Sequence, residues 1–183
     1  MITDGIAEVR PASIVTGDGT ERAVDVIIYA TGFHVFDRFD SFECRVDGGE
    51  SFVQRRNTDG ARAHMGINVA GVPNAFFLMG PNTGITHNSI VFMIEQQIKF
   101  ALRAMDGMQR RAAASIQVRQ DAQDRFNEDI QRRLTKRVWS TAGCTSWFVD
   151  DRGVNRVLWP GFTWQYWRAA RNFDETEFEF SRR

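Results

Sequence analysis

The chain has 183 residues, enough for one domain with a sizeable core. Lysine plus arginine equals aspartate plus glutamate at 23 each, so charge makes no case for nucleic acid or an anionic membrane as a partner. No apolar run reaches the ~18 residues of a membrane span, and Met1-Ile2-Thr3-Asp4-Gly5 does not read as a signal peptide, which sets the expectation of a cytoplasmic protein.

The first 33 residues predict short strands: one around Ile6–Val9, then a hairpin from Ser13–Thr16 and Arg22–Ile27. The connecting Gly17-Asp18-Gly19-Thr20-Glu21-Arg22 lacks the third glycine of a dinucleotide fingerprint, and a hairpin turn explains it better. In Val24–Ala30, the apolar Val24, Val26, Ile27, Ile28 and Tyr29 predict a strand covered on both faces and paired on both edges. Asp25, at its start, reads as an acceptor for backbone amides. The few short strands elsewhere in the chain do not suffice to pair it. Gly32 ends the run where the backbone turns sharply or approaches something closely.

Residues 34–63 are polar and irregular, with Phe33, Phe36, Phe39, Phe42 and Phe52 scattered among Asp, Arg and Gly. This length predicts a functional or mobile stretch. His64–Val69 and Ala75–Met79 are candidate strands around the turn Gly71-Val72-Pro73-Asn74. A helix is predicted over Ser89–Asp106, capped by Asn88 or Ser89 and stopped near Gly107. Ile90, Val91, Met93, Ile94, Ile98, Phe100, Ala101 and Leu102 form its apolar stripe, with Glu95, Gln96 and Lys99 on the wetter side. Ser115–Val118 predicts a strand and Asp121–Val138 a second helix, capped by Asp121, with Phe126, Ile130, Leu134 and Val138 on one face.

All five tryptophans (Trp139, Trp147, Trp159, Trp164 and Trp167) lie in the last 45 residues, as expected of an aromatic lid or second layer. Ser146–Val149 and Val154–Leu158 predict a hairpin around Asp150-Asp151-Arg152-Gly153, and the tail from Asp174 reads as frayed or loosely docked. The basic clusters Arg110-Arg111 and Arg132-Arg133 with Lys136-Arg137 read as solvated helix faces. Cys44 and Cys144 are 100 residues apart and form no CxxC, which counts against dithiol reductase chemistry. His34, His64 and His87 have no ligand-like spacing with each other or with the cysteines, so no metal site is expected.

Three segments together carry a resemblance. VDVIIYATGF (24–33) resembles the Ala-Thr-Gly stretch of flavin-containing and Baeyer–Villiger monooxygenases. GPNTGITHNSIVFMIEQQ (80–97) resembles their flavin-facing loop and helix, and GCTSWFVDDRGVNRVLWPGFTWQY (143–166) the C-terminal region of Baeyer–Villiger-like members. The resemblance implies an α/β fold: a fragment of a two-dinucleotide-binding-domain flavoprotein (FAD/NAD(P)-binding, Rossmann-like) with an aromatic-rich C-terminal cap. Its division would be 1–33 as the end of the NADPH-side segment, 34–110 as the second FAD-side segment and 111–183 as a C-terminal helix and Trp-rich cap.

Both glycine-rich turns for FAD and NADPH are missing, as is the family's fingerprint. The resemblance therefore implies the C-terminal part of a longer enzyme, completed by an N-terminal half or a complementing chain; separately, the apolar Val24–Ala30 and the aromatic tail lead to the expectation of exposed apolar surface and self-association. The implied activity is an NADPH-dependent FAD monooxygenase moving one oxygen atom from dioxygen to a ketone or to an N- or S-containing small molecule. The alternative is a non-catalytic remnant or a subunit completed by another chain.

The implied cofactor-binding residues are Ala30, Thr31 and Gly32, then Gly80, Asn82, Thr83 and Gly84, then Asn88, Ser89 and Ile90. Ile85–His87 would border flavin and substrate. The amides around Asn88–Ile90 would face the flavin's pyrimidine edge, where a helix N-terminus stabilises negative charge. No residue is assigned a catalytic role. His87 is an acid–base candidate, but a histidine in a helix-capping loop is more often a hydrogen-bonding or surface residue. Glu95 reads as a solvated face. Ser146-Trp147 resembles the family's Ser-Trp-Tyr, with Phe148 replacing the tyrosine and lacking its hydroxyl.

Overall fold

The computed structural model describes residues 2–32, 45, 49, 51–141 and 146–182, with backbone only at 55, 56 and 141. Phe33, His34, Phe36, Phe39, Phe42, Cys44 and Cys144 of the sequence reading lie outside these residues. The chain divides into two units, Met1–Phe33 and His34–Arg183.

In the first unit, β1 (Ile6–Arg10), β2 (Ser13–Thr16) and β3 (Glu21–Ala23) form an antiparallel sheet in that order. The β2–β3 turn is held by Asp18, whose carboxylate accepts from the Thr16 hydroxyl (2.6 Å) and the Thr20 amide (2.9 Å). Gly19, at φ +79°, supplies the left-handed turn residue. The expected strand over Val24–Ala30 does not form. Val24 donates to the Ala12 carbonyl (3.2 Å), and beyond it the segment pairs with no strand among the described residues, with Val26, Ile28 and Tyr29 75%, 85% and 77% exposed. A three-stranded meander offers this apolar segment neither a second pairing edge nor a covering layer, so the unit cannot make it an interior strand.

The second unit is built on α2 (Ile90–Arg111), which follows α1 (Phe52–Asp59) in the chain. α1 was not expected, because its residues are mostly polar; Ser51 caps it through the Gln54 amide (3.4 Å). After α2 come β4 (Ser115–Val118), α3 (Gln120–Leu134), the short α4 (Val138–Thr141), α5 (Thr163–Arg171), a single 3₁₀ turn (Glu175–Glu177) and β5 (Phe178–Ser181). β4 and β5 pair antiparallel from Ser115 opposite Ser181 to Val118 opposite Phe178. The tail is therefore not frayed. Phe178, buried next to Phe100 and Phe173, anchors it.

His64–Val69 and Ala75–Met79 are not strands. His64 and Asn68 make a lone bridge around a tight turn, and Phe77 donates to the Ile67 carbonyl (2.8 Å). Side chains complete what sheet pairing would have supplied: Asn68 donates to the Ala75 carbonyl (3.0 Å), and Gln123 of α3 accepts from the Ala70 amide (2.8 Å). α3 runs four residues short of its expected end, and Asp121 does not cap it. That carboxylate sits in the first turn and pairs with Arg125 (2.6 Å), while Val138 is 63% exposed.

α2 buries Met93, Gln96, Gln97, Phe100, Ala101, Ala104 and Gly107 and packs on α5. This corrects the expected stripe, because Val91, Ile98 and Leu102 are 63%, 44% and 54% exposed and Gln96 is inside. The glutamines are tolerated because they bond backbone: Gln97 accepts from the Met79 amide (3.0 Å) and Gln96 donates to the Phe92 carbonyl (3.3 Å). Gly107 does not end the helix. It lies under the Phe180 ring, and Ala112 takes the left-handed cap at φ +49°. Arg110 (2.6 Å) and Arg111 clamp Glu175 at this end and hold its carboxyl below the usual range, Arg111 first.

The core joins Met65, Ile67, Met93, Phe100, Ile116, Ile130, Leu134, Leu158, Trp159 and Tyr166. Among the described residues no helix is long and apolar enough to cross a membrane, and no group of three or more His, Cys, Asp or Glu is placed to hold a metal.

Tyr166 is fully buried and donates from its hydroxyl to the Met65 carbonyl (2.7 Å); burial pushes its phenol up in pKa. Tyr166→Phe leaves that carbonyl without its donor and is expected to cost about 1–2 kcal/mol in urea unfolding. Each unit also exposes apolar side chains: Val26 and Ile28 in the first, Val91 and Leu102 in the second. The purified chain is expected to scatter light as oligomers. A monomer with one sharp melt would contradict this.

Candidate functional site

The loop ahead of α2 is shaped by a close crossing of two backbones. A Cβ at Gly80 would lie 2.2 Å from the Gly66 carbonyl oxygen, and one at Gly66 would lie 2.8 Å from the Pro81 oxygen. Only hydrogen fits at either position. Around the crossing, Met65, Gly66, Met79 and Asn82 all have positive φ (+54°, +67°, +57° and +58°). For the methionines this is costly backbone, held in place by the surrounding bonds.

Asn82 then fixes the loop to the cap. It is 2% exposed, and its side-chain amide donates to the carbonyls of Asn155 (2.9 Å) and Leu158 (3.2 Å). Its own backbone N–H donates to the Arg156 carbonyl (2.8 Å). Gly84 continues the pairing: its N–H donates to the Val157 carbonyl (2.8 Å) and its carbonyl accepts from Trp159 (2.8 Å). The Thr83 hydroxyl, fully buried, donates back to Gly80 (2.7 Å). Beyond the pairing, the buried ion pair Arg156–Asp150 (2.9 Å) holds the Asp150–Gly153 turn, where Val149 and Asn155 bridge. The expected hairpin is thus present as a single bridge.

The loop delivers the chain to the start of α2. The Ser89 amide donates to the Asn88 side-chain oxygen (2.7 Å), and Asn88 donates to the Thr163 hydroxyl at the start of α5 (3.0 Å). Ser89 is the cap and accepts from Phe92 (3.3 Å). The amides of Ile90 and Val91 have no acceptor within the helix. No acidic residue stands in the first turn to neutralise the positive end.

The loop ahead of this helix end lines a cavity of about 190 Å³. Ile85, Thr86 and His87 form one side, Arg137 and Trp139 another, and Leu158–Phe162 a third. Trp159 stands edge-on to Tyr166 (5.1 Å) and gives its indole N–H to the Phe162 carbonyl (3.2 Å). His87 is exposed and edge-on to the Phe162 ring at 6.1 Å.

Of the sequence-derived residues, Gly80, Asn82, Thr83 and Gly84 are brought together and bonded into the protein. Asn88, Ser89 and Ile90 form the helix entry. Ala30, Thr31 and Gly32 belong to the first unit, exposed, with Gly32 at φ +83°. The part of Arg137, Trp139 and Phe162 in one cavity was not legible in the sequence. The tryptophan cluster was the available signal, but its pairing with loop 85–87 depends on contacts some 50 to 75 residues away.

A Baeyer–Villiger monooxygenase of Pseudomonas aeruginosa is 43% identical over 182 residues, spanning 99% of this chain and 34% of the relative. An FAD-binding monooxygenase of Aspergillus niger is 33% identical over 178 residues, 92% of this chain and 29% of its own length. Along nearly its whole length the chain is homologous to one part of Baeyer–Villiger-type monooxygenases. It spans about a third of the length of the curated relatives it matches. The crystal structure of cyclohexanone monooxygenase from Rhodococcus sp. Phi1 bound to NADP+ shares the fold at a TM-score of 0.73 and 20% identity, covering 98% of this chain and 34% of that one. No family model matches the chain.

Gly80→Ala is expected to cost about 2–4 kcal/mol of stability, because backbone rather than a flexible side chain blocks the methyl group. Urea midpoints read by tryptophan fluorescence test this. A midpoint at the wild-type value would mean that the two backbones do not cross this closely.

Proposed function

We propose that this chain supplies the flavin-facing loop, helix and aromatic cap of an NADPH-dependent FAD monooxygenase, which carries one oxygen atom of dioxygen to a ketone or to a nitrogen- or sulfur-containing small molecule. The observation that carries the reading is the entry to α2: a 22-residue helix with no acid in its first turn, preceded by a loop whose residues 85–87 line an aromatic cavity. Relatives named as Baeyer–Villiger and FAD-binding monooxygenases support it.

The residues present fit one part of FAD. The Ile90 and Val91 amides suit the pyrimidine edge of the ring system, where negative charge gathers on reduction. Ser89 is less available, since Asn88 already takes its amide. Gly80, Asn82, Thr83 and Gly84 hold the loop in shape, with their side chains or close backbone contacts committed internally, so their contribution to cofactor binding is positional. Ala30, Thr31 and Gly32 would let a second stretch of chain pass close to the cofactor. When bound, FAD would accept the reducing equivalents of NADPH and activate dioxygen.

Neither glycine-rich turn is in this chain, so the pyrophosphate sites for FAD and NADPH would come from an N-terminal half or a complementing chain. On this reading 1–33 closes the NADPH-side segment, 34–110 is the second FAD-side segment and 111–183 is the cap. Without the rest the chain is non-catalytic.

Ile90→Pro in the complete flavoprotein tests the placement. Ser89 is already extended (φ −74°, ψ 119°), and proline suits the first helical position, so the fold tolerates the change while one amide donor disappears. A preorganised donor at a reacting centre is worth ~3 kcal/mol, and about 1–2 kcal/mol is expected at the flavin's far edge. The readouts are the flavin reduction potential and NADPH-driven turnover. Both unchanged, with FAD still bound, would show that this helix end faces something else.

A further inference from the structure

Between Gly84 and Met93 little holds the chain. Gly84 is bonded to Val157 and Trp159, and Met93 is the first buried residue of α2. None of the residues 85–92 is buried, and Thr86, His87, Asn88 and Ser89 are exposed in a row. Among the described residues one hydrogen bond joins this stretch to another element: the Asn88 side chain donates to the Thr163 hydroxyl (3.0 Å). Its direction is fixed by the other half of the same amide. The Ser89 N–H can only donate, so the Asn88 oxygen faces it (2.7 Å) and the NH2 group is left for Thr163.

Thr163 is a firm anchor. It is buried at the first position of α5, a helix seated in the core by Tyr166 and Ala170 and bonded from the Tyr166 hydroxyl to the Met65 carbonyl (2.7 Å). The bond also lies where both cavity walls enter their helices. Residues 85–87 run into Asn88 and α2, and residues 158–162 run into Thr163 and α5. The Ser89 cap does not replace it, because its bond to the Phe92 amide (3.3 Å) ties the first turn only to itself.

We propose that Asn88 is a positioning residue: by bridging Ser89 and Thr163 it sets where the Ile90 and Val91 amides point, and so couples the flavin end of α2 to the aromatic cap. This rests on the flavin-facing reading above and assigns Asn88 no contact with the cofactor. Donors at a developing charge are effective only when they are held in place beforehand, and a small misplacement forfeits much of their value.

The test compares Asn88→Ala, Thr163→Val, their combination and Thr163→Ser in the complete flavoprotein. The readouts are the flavin reduction potential and hydrogen exchange across residues 90–95, with circular dichroism confirming the fold. Each of the first two changes is expected to weaken reduced FAD relative to oxidised FAD by about three- to fivefold, on the scale of one hydrogen bond, and so to make the potential more negative. The combination should add nothing to either single change, exchange at the helix start should rise in all three, and Thr163→Ser should keep the wild-type potential. An effect of Asn88→Ala without one of Thr163→Val overturns the proposal, since Asn88 then acts locally or on the flavin itself. A lowered urea midpoint with the potential unmoved also overturns it, leaving a merely structural bond. Ile90→Pro separates that failure from failure of the larger reading. If Ile90→Pro alone shifts the potential, the helix end faces the flavin and only the role of Asn88 falls. If it too leaves the potential unchanged, the flavin placement falls and this inference with it.

Discussion

The second unit depends on the side-chain amide of Asn82. By donating to the carbonyls of Asn155 and Leu158 it closes two backbone acceptors that the cap leaves inside, and it does so from a residue with φ +58°, a conformation asparagine adopts more readily than most. The parallel pairing of Gly84 with Val157 and Trp159 continues this one attachment. Because of it, loop 80–89 and the aromatic segment 158–162 form opposite walls of a cavity and do not drift as separate surface loops. The crossing of Gly66 and Gly80 fixes the loop from behind, so it is gripped on two sides before it reaches α2.

That grip gives the helix its direction. α2 is polarised at both ends but compensated at one. Arg110 and Arg111 stand in the last turn, where cations suit the negative end, and they also clamp Glu175. The first turn has a serine cap and no acid. A positive helix end fixed by a buried scaffold is preorganised for an anionic or electron-rich group, and it costs nothing to reorient when charge develops there. This would be the physical content of the proposed flavin-facing role, which needs backbone amides rather than particular side chains.

The surfaces that remain apolar are consistent with a chain spanning about a third of its relatives' length. Val26, Ile28 and Tyr29 follow β3 outside any strand and exposed, and Val91, Ile98, Leu102 and Met105 recur along the outer face of α2. The sequence pattern led to the expectation that Val26, Ile28, Tyr29, Val91, Ile98 and Leu102 are buried, and here they are exposed. What it marked is a preference for burial, which is satisfied only when another layer is present.

The family and the helix entry were legible in the sequence by itself. The order of the Ala-Thr-Gly stretch, the GPNTGITHNS loop and the C-terminal aromatic segment is a local signal, and so are the Ser89 cap and the strands Ser13–Thr16 and Ser115–Val118. The limits of that reading lie wherever distant partners decide. Polar α1 forms beside aromatics such as Phe77, against which Phe52 stacks at 5.4 Å. His64–Val69 and Ala75–Met79 read as strands but are turns completed by Asn68, Gln97 and Gln123. Gln96 went inside because Phe92 offered it a carbonyl, and the tail docked because β4 presented a free edge to Phe178–Ser181. Periodicity reports how apolar each position is. Which polar groups find partners, and so which face of a helix is buried, is fixed only when contacts far apart in the chain close together.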